Sequence, residues 1–112
     1  MSSTDRTRRA RELYLAFASG ERELAESLLT DDFSFSSPLD VGLDRTGFFE
    51  RCWPGAGGGQ RFEFIRLLEV GDEVIVTYEM TRADGGRGCN TEVLTFDGDR
   101  IRSAEVYFGW NL

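Results

Sequence analysis

Apolar side chains recur every three or four residues in the first half of the chain and alternate with polar ones in the second, so helices come first and strands after. Ala10, Leu13, Tyr14 and Phe17 share one face of a helix that Thr4 or Asp5 can cap and Gly20 can end. A second helix, about Glu21 to Leu29, offers Leu24 and Leu28 with Ala25, and Asp31-Asp32 close the pair. The period then changes. Phe33 and Phe35 alternate with Ser34 and Ser36 in a strand that stops at Ser37-Pro38, because the residue before proline avoids helical angles. Asp44 or Thr46 can cap a third helix carrying Phe48, Phe49, Cys52 and Trp53, which Pro54 ends.

From Gly55 to Gly59 the chain reads as a plain linker, since no Lys-Ser or Lys-Thr follows to make it a phosphate loop. Beyond it four strands are predicted: Arg61 to Val70, Glu73 to Arg82, Arg87 to Phe96 and Arg100 to Gly109. They are joined by turns at Gly71-Asp72, Asp84-Gly85-Gly86 and Asp97-Gly98, the last a strong hairpin signal. The order α-α-β-α-β-β-β-β predicts an α+β fold in one domain over residues 1–112, its three N-terminal helices packed on the concave face of a curved, cone-shaped antiparallel sheet. Alternation assigns Val74, Val76, Tyr78 and Met80 to the inner face, with Asn90, Glu92, Leu94 and Phe96, and with Ala104, Val106 and Phe108. The outer face keeps Ile75, Val93 and Tyr107, apolar enough to predict a homodimer through that side.

Composition narrows the chemistry. With 13 basic and 20 acidic residues the net charge is −7, which opposes binding to a nucleic-acid backbone. All the basic residues are Arg, and there is no His, so lysine Schiff bases and histidine bases, nucleophile pairs and metal ligands are all excluded. Cys52 and Cys89 are too few for a disulfide framework and read as reduced thiols; Cys52 has no base to activate it as a nucleophile. Asp31-Asp32 lacks the third ligand a metal needs. No cofactor pattern occurs, no apolar run would span a membrane, and the polar, basic N-terminus shows no secretory signal, so a cytoplasmic protein is expected.

One group stands out: Glu92, a lone carboxylate on an inner face among apolar neighbours. Loss of solvation there raises its pKa and equips it to donate or accept a proton near neutrality. The structural alternative is a pairing with Arg102, or hydrogen bonds to Asn90 and Tyr14. Tyr14, from the buried helix face, is the second catalytic candidate. Trp53, Tyr78 and Phe62 are candidate walls of a pocket for a small apolar molecule.

The run LLTDDFSFSSP after a helix pair, the DRTGFFERCWP helix and the ending FDGDRIRSAEVYFG together resemble the nuclear transport factor 2-like superfamily, in particular its SnoaL-like branch, from about Arg9 to Trp110. That superfamily includes ketosteroid isomerases, polyketide cyclases, epoxide hydrolases and binding members, so the resemblance implies the fold and a choice of activities. It places Glu92 near the strand position where the isomerases keep a protonated Asp and the cyclases their acid/base residue. The helix phenol of the isomerases falls at Tyr14 or Leu13. Ser37 stands where the isomerases have a basic Asp before proline, and Asp40 is the nearest carboxylate to it. No Arg accompanies Glu92 on its face, so the Asp-Arg-Asp set of limonene epoxide hydrolases is not evident. The resemblance thus implies a cofactor-independent isomerase, cyclase or hydrolase acting on a small apolar carbonyl or epoxide compound, with Asn90, Ser37 and Asp40 added to the candidate binding residues; the alternative is a non-catalytic module with a packed pocket.

Overall fold

A computed structural model describes residues 3–112. Helix α1 (Ser3–Ser19) packs against α2 (Arg22–Leu28), and both precede β1 (Leu29–Ser36), the short β2 (Leu43–Asp44) and α3 (Arg45–Arg51). A single 3-10 turn at Trp53–Gly55 leads to β3 (Arg61–Val70), β4 (Glu73–Thr81), β5 (Arg87–Asp97) and β6 (Arg100–Asn111). The six strands form one sheet in the order β2-β1-β6-β5-β4-β3. All neighbours are antiparallel except β1 and β6, whose parallel pairing makes the sheet mixed rather than wholly antiparallel. A crossover explains it: the chain leaves β1, next to the β2 edge, and returns to its other side only after building β3 to β5.

The helical pattern is realised on α1, where Ala10, Leu13, Tyr14 and Ala16 are buried. The helix is already formed at Ser3, so Thr4 and Asp5, the expected start, lie within it. Gly20 follows its end, and the expected linker is tied to that end: Gly57 N–H donates to the Phe17 carbonyl at 2.7 Å and Gly59 N–H to Ala18 at 3.1 Å. Those carbonyls have no intrahelical partner at a helix end, and the glycine loop satisfies them. On α2, Ala25 and Leu28 are buried while Leu24 is 38% exposed, because a seven-residue helix turns only a narrow stripe inward and Leu24 sits at its margin. Asp31 and Asp32 do not close the helix pair but lie in β1, which starts directly at Leu29. Asp44, one of the two expected caps, accepts the Gly47 N–H at 2.7 Å and starts α3.

Alternation holds in β4, where Val74, Val76 and Tyr78 are buried, and in β5 for Glu92, Leu94 and Phe96. It breaks in β6. Thr95 pairs with Ser103 and Phe96 with Ile101, leaving Arg102 as an extra, bulged residue. Ile101 therefore turns inward and is fully buried, while Arg102 stays exposed. Phe108, expected inside, is 51% exposed, since β6 runs on past the part of the sheet that the helices cover. The hairpin turn is also shifted by one residue. Asp97 pairs with Arg100, so the two loop residues are Gly98 and Asp99, with Gly98 at a φ of 62°. Only that first loop position needs positive φ, which glycine supplies without strain.

Candidate functional site

A cavity of about 240 Å³ lies between the helices and the sheet. Its buried floor is made by Leu13 and Tyr14 from α1, Phe33 from β1, Phe48 from α3, Tyr78 from β4, Glu92 from β5 and Ala104 from β6. Half-buried Phe17, Phe35, Cys52, Trp53, Phe62 and Met80 form the remaining wall. The aromatic rings brace one another: Tyr14 lies 5.2 Å from Tyr78 and 5.6 Å from Phe62, centroid to centroid, and Trp53 meets Phe17 edge-on at 5.6 Å. Such tilted and edge contacts hold the wall in shape without filling its centre.

On this apolar floor the hydroxyl of Tyr78 and the carboxyl of Glu92 meet, with Asn90 behind Tyr78. The Tyr78 hydroxyl donates to Glu92 Oε2 at 2.7 Å, and Asn90 Nδ2 donates to the Tyr78 oxygen at 3.1 Å. Glu92 is 8% exposed, and burial pushes its pKa above the ordinary 4.5; the Tyr78 and Tyr14 hydroxyls pull the other way but do not win. Both phenols are held well above their usual range, first by burial and then by the Glu92 charge, so they stay protonated as donors. The Tyr14 hydroxyl is close enough to Glu92 for each to affect the other's titration, yet it is buried with no hydrogen bond of acceptable geometry. Distance and angle decide here, and they leave Tyr14 an unsatisfied donor beside the carboxyl.

The structure thus brings together Glu92, Tyr14, Tyr78, Trp53 and Phe62, with Asn90 one step behind Tyr78. Between the two helix positions left open by the sequence, Tyr14 provides the hydroxyl and Leu13 lines the same cavity. Arg102 does not pair with Glu92, because the β6 bulge leaves it exposed on the far side. Ser37 and Asp40 are not among the cavity residues. The Ser37 hydroxyl accepts backbone N–H groups of Leu39 and Asp40 in its own turn, and Asp40 accepts from Arg51 Nε at 2.7 Å. The Asp40 charge still reaches Cys52, whose thiol is pushed up mainly by burial. Sequence reading missed Phe17, Phe33, Phe35, Phe48, Met80 and Ala104 as cavity walls; all read as core, and only the gap between them distinguishes wall from core. Among the described residues no group of three or more acidic or Cys side chains gathers to hold a metal.

Residues 10–104 match the model of the SnoaL-like domain family. The chain belongs to that family. Its fold is shared with a nuclear transport factor 2-like protein of unknown function from Cytophaga hutchinsonii, at 19% identity and a TM-score of 0.73 over 92% of this chain and 89% of the other. It is shared also with a candidate ketosteroid isomerase from Kribbella flavida, at 18% identity and a TM-score of 0.79 over 95% and 78% of the two chains. A de novo designed protein with a curved β-sheet is similar too, at 15% identity and a TM-score of 0.78 over 97% and 88%. One architecture accommodates an isomerase candidate and a designed chain alike, so these likenesses speak for the fold alone. Among curated proteins none matches the chain.

Proposed function

We propose that this SnoaL-like protein is a cofactor-independent enzyme of the isomerase or cyclase type that moves a proton on a small, neutral, apolar carbonyl compound. The observation that carries the reading is the buried, unpartnered Tyr14 hydroxyl beside a buried Glu92 on the floor of an apolar cavity. An unpaired buried donor costs about 1–3 kcal/mol, which a ligand oxygen placed against it would offset. Family membership supports the same class of chemistry, and the residue types fit it without His or Lys.

In this scheme Glu92, when ionised, removes a proton from the carbon next to the carbonyl. The electron pair passes to the carbonyl oxygen, and the neutral Tyr14 phenol donates to the oxyanion that forms. The proton then returns from Glu92 to the same or a neighbouring carbon, so no co-reactant is consumed. The substrate class follows from the lining. No Arg lines the cavity, so a carboxylate or phosphate on the ligand would lose its water with nothing in return. At about 240 Å³ the space is half as large again as the ~150 Å³ apolar cavity that takes up benzene, which suits a one- or two-ring molecule.

The test is exchange of the α-protons of cyclohexanone in D₂O, followed by proton NMR. The intact protein should speed exchange about a hundredfold or more over the Glu92→Gln variant. Equal rates for the two would refute the proposal, and if Trp53 fluorescence still responded to the ketone, the cavity would bind without catalysing.

We also propose that the protein self-associates through the outer face of the sheet. Leu68, Ile75 and Val93 stand side by side across β3, β4 and β5, and Leu68, Val70 and Tyr107 are each more than half exposed. A second copy of the same patch is the simplest cover for it.

A further inference from the structure

The hydrogen bonds behind Glu92 form a chain whose direction is fixed at its far end. In the β5–β6 ladder Gly88 pairs with Asn111 and Asn90 with Phe108, so Gly109 and Trp110 together stand opposite Cys89 in a bulge. The bulge turns the Gly109 N–H toward the Asn90 side chain, at 3.3 Å from Oδ1. Glycine is required there, since a Cβ would run into the Cys89 carbonyl and come within 2.7 Å of its Sγ. A backbone N–H can only donate, so the amide oxygen of Asn90 must face it and the amide nitrogen must face Tyr78, 3.1 Å away. That nitrogen also only donates. The Tyr78 oxygen is therefore an acceptor on this side, and its single proton goes to Glu92 Oε2 at 2.7 Å.

We propose that Asn90 is a positioning residue: it commits the Tyr78 proton to Oε2 of Glu92, and leaves Oε1 as the oxygen through which the carboxyl exchanges a proton with a ligand. The inference rests on Glu92 as the acid/base group and adds the residue that orients it. Without Asn90 the Tyr78 hydroxyl is free to turn, and the ionised carboxylate loses its committed donor. The titratable groups facing Glu92 are Tyr14 from α1, Tyr78 from β4 and the Cys52 thiol after α3; toward the same cavity β3 presents Phe62 and β6 Ala104, neither of which titrates.

The deciding experiment follows the Glu92 side-chain carboxyl by ¹³C NMR titration of the full-length labelled protein. Asn90→Ala should raise its midpoint by about one pH unit, the size expected when a donor to a charged group is no longer held. In a Tyr78→Phe background the same change should have no effect, because the hydroxyl that transmits it is gone. Asn90→Asp keeps the size of the side chain and serves if the alanine variant folds poorly. It offers Tyr78 an acceptor in place of a donor, and should shift the midpoint more in the Tyr78 protein than in the Tyr78→Phe background, where only its charge acts. Equal shifts in the two backgrounds, or none in either, would overturn the relay. This titration reads the carboxyl whether or not a ketone is turned over, so a flat result removes the relay and leaves the exchange assay to judge the proton-transfer reading.

Discussion

Replacing Glu92 by Gln keeps the shape of the side chain and removes a buried ionisable group, which makes stability against pH a direct readout of the site. The carboxyl is 8% exposed and its hydrogen-bond partner is a neutral hydroxyl rather than a cation. Stripping a carboxylate of water costs several kcal/mol, and a hydroxyl donating to the charge returns only about 2 kcal/mol, so the protonated form is favoured and the pKa rises above 4.5. The folded protein then holds a proton that the unfolded chain has released. Its stability contribution is complete below the unfolded value and is lost as pH rises through the folded one, with a slope of at most about 1.4 kcal/mol per pH unit. The Gln variant has no such slope, and the other carboxylates, common to both proteins, cancel in the difference. Urea denaturation followed by Trp fluorescence from about pH 4 to about pH 8 should therefore show the wild type losing ground to Glu92→Gln as pH rises, then a plateau. A difference that stays flat, or that grows in favour of the wild type with pH, would refute the argument, the second because it marks a depressed pKa.

Two further outcomes test the cavity and the outer face. Ala104→Leu places extra carbons in the cavity and should raise stability by about 1 kcal/mol while abolishing ketone exchange; a loss of stability on thermal melting would mean that the side chain found no space. Sedimentation velocity at micromolar concentration should give twice the chain mass, reduced to one by Val93→Glu on the outer face, and a monomer in the unchanged protein would remove the self-association proposal.

Much of the fold was legible because it rests on local rules. The period of Ala10, Leu13 and Tyr14 requires one helical face, and the Gly71-Asp72 turn separates β3 from β4 where it was expected. Parity carried Tyr78 and Glu92 to the same inner face, yet Tyr78 was read as an apolar wall and Asn90 and Tyr14 as the hydrogen-bond partners of Glu92, so the carboxyl was legible and its donor was not. Reading failed where one residue changes parity. The bulged Arg102 returned Ile101 to the core, and no propensity marks an arginine as the extra residue of a ladder. Ser37 and Asp40 were reached through resemblance, and their turn uses those side chains for its own N–H groups and for Arg51.

By itself the sequence determined the elements other than the two-residue β2, the family and the exclusion of histidine and lysine chemistry, because period, turn residues and composition are properties of the chain alone. Tertiary structure decided the rest: that the core side chains leave a cavity, that Glu92 meets Tyr78 rather than Arg102, that Tyr14 is left without a partner, and that a glycine at position 109 brings β6 close enough to orient Asn90. These depend on where side chains from distant strands and helices end up relative to one another, which the pattern along any one element does not fix.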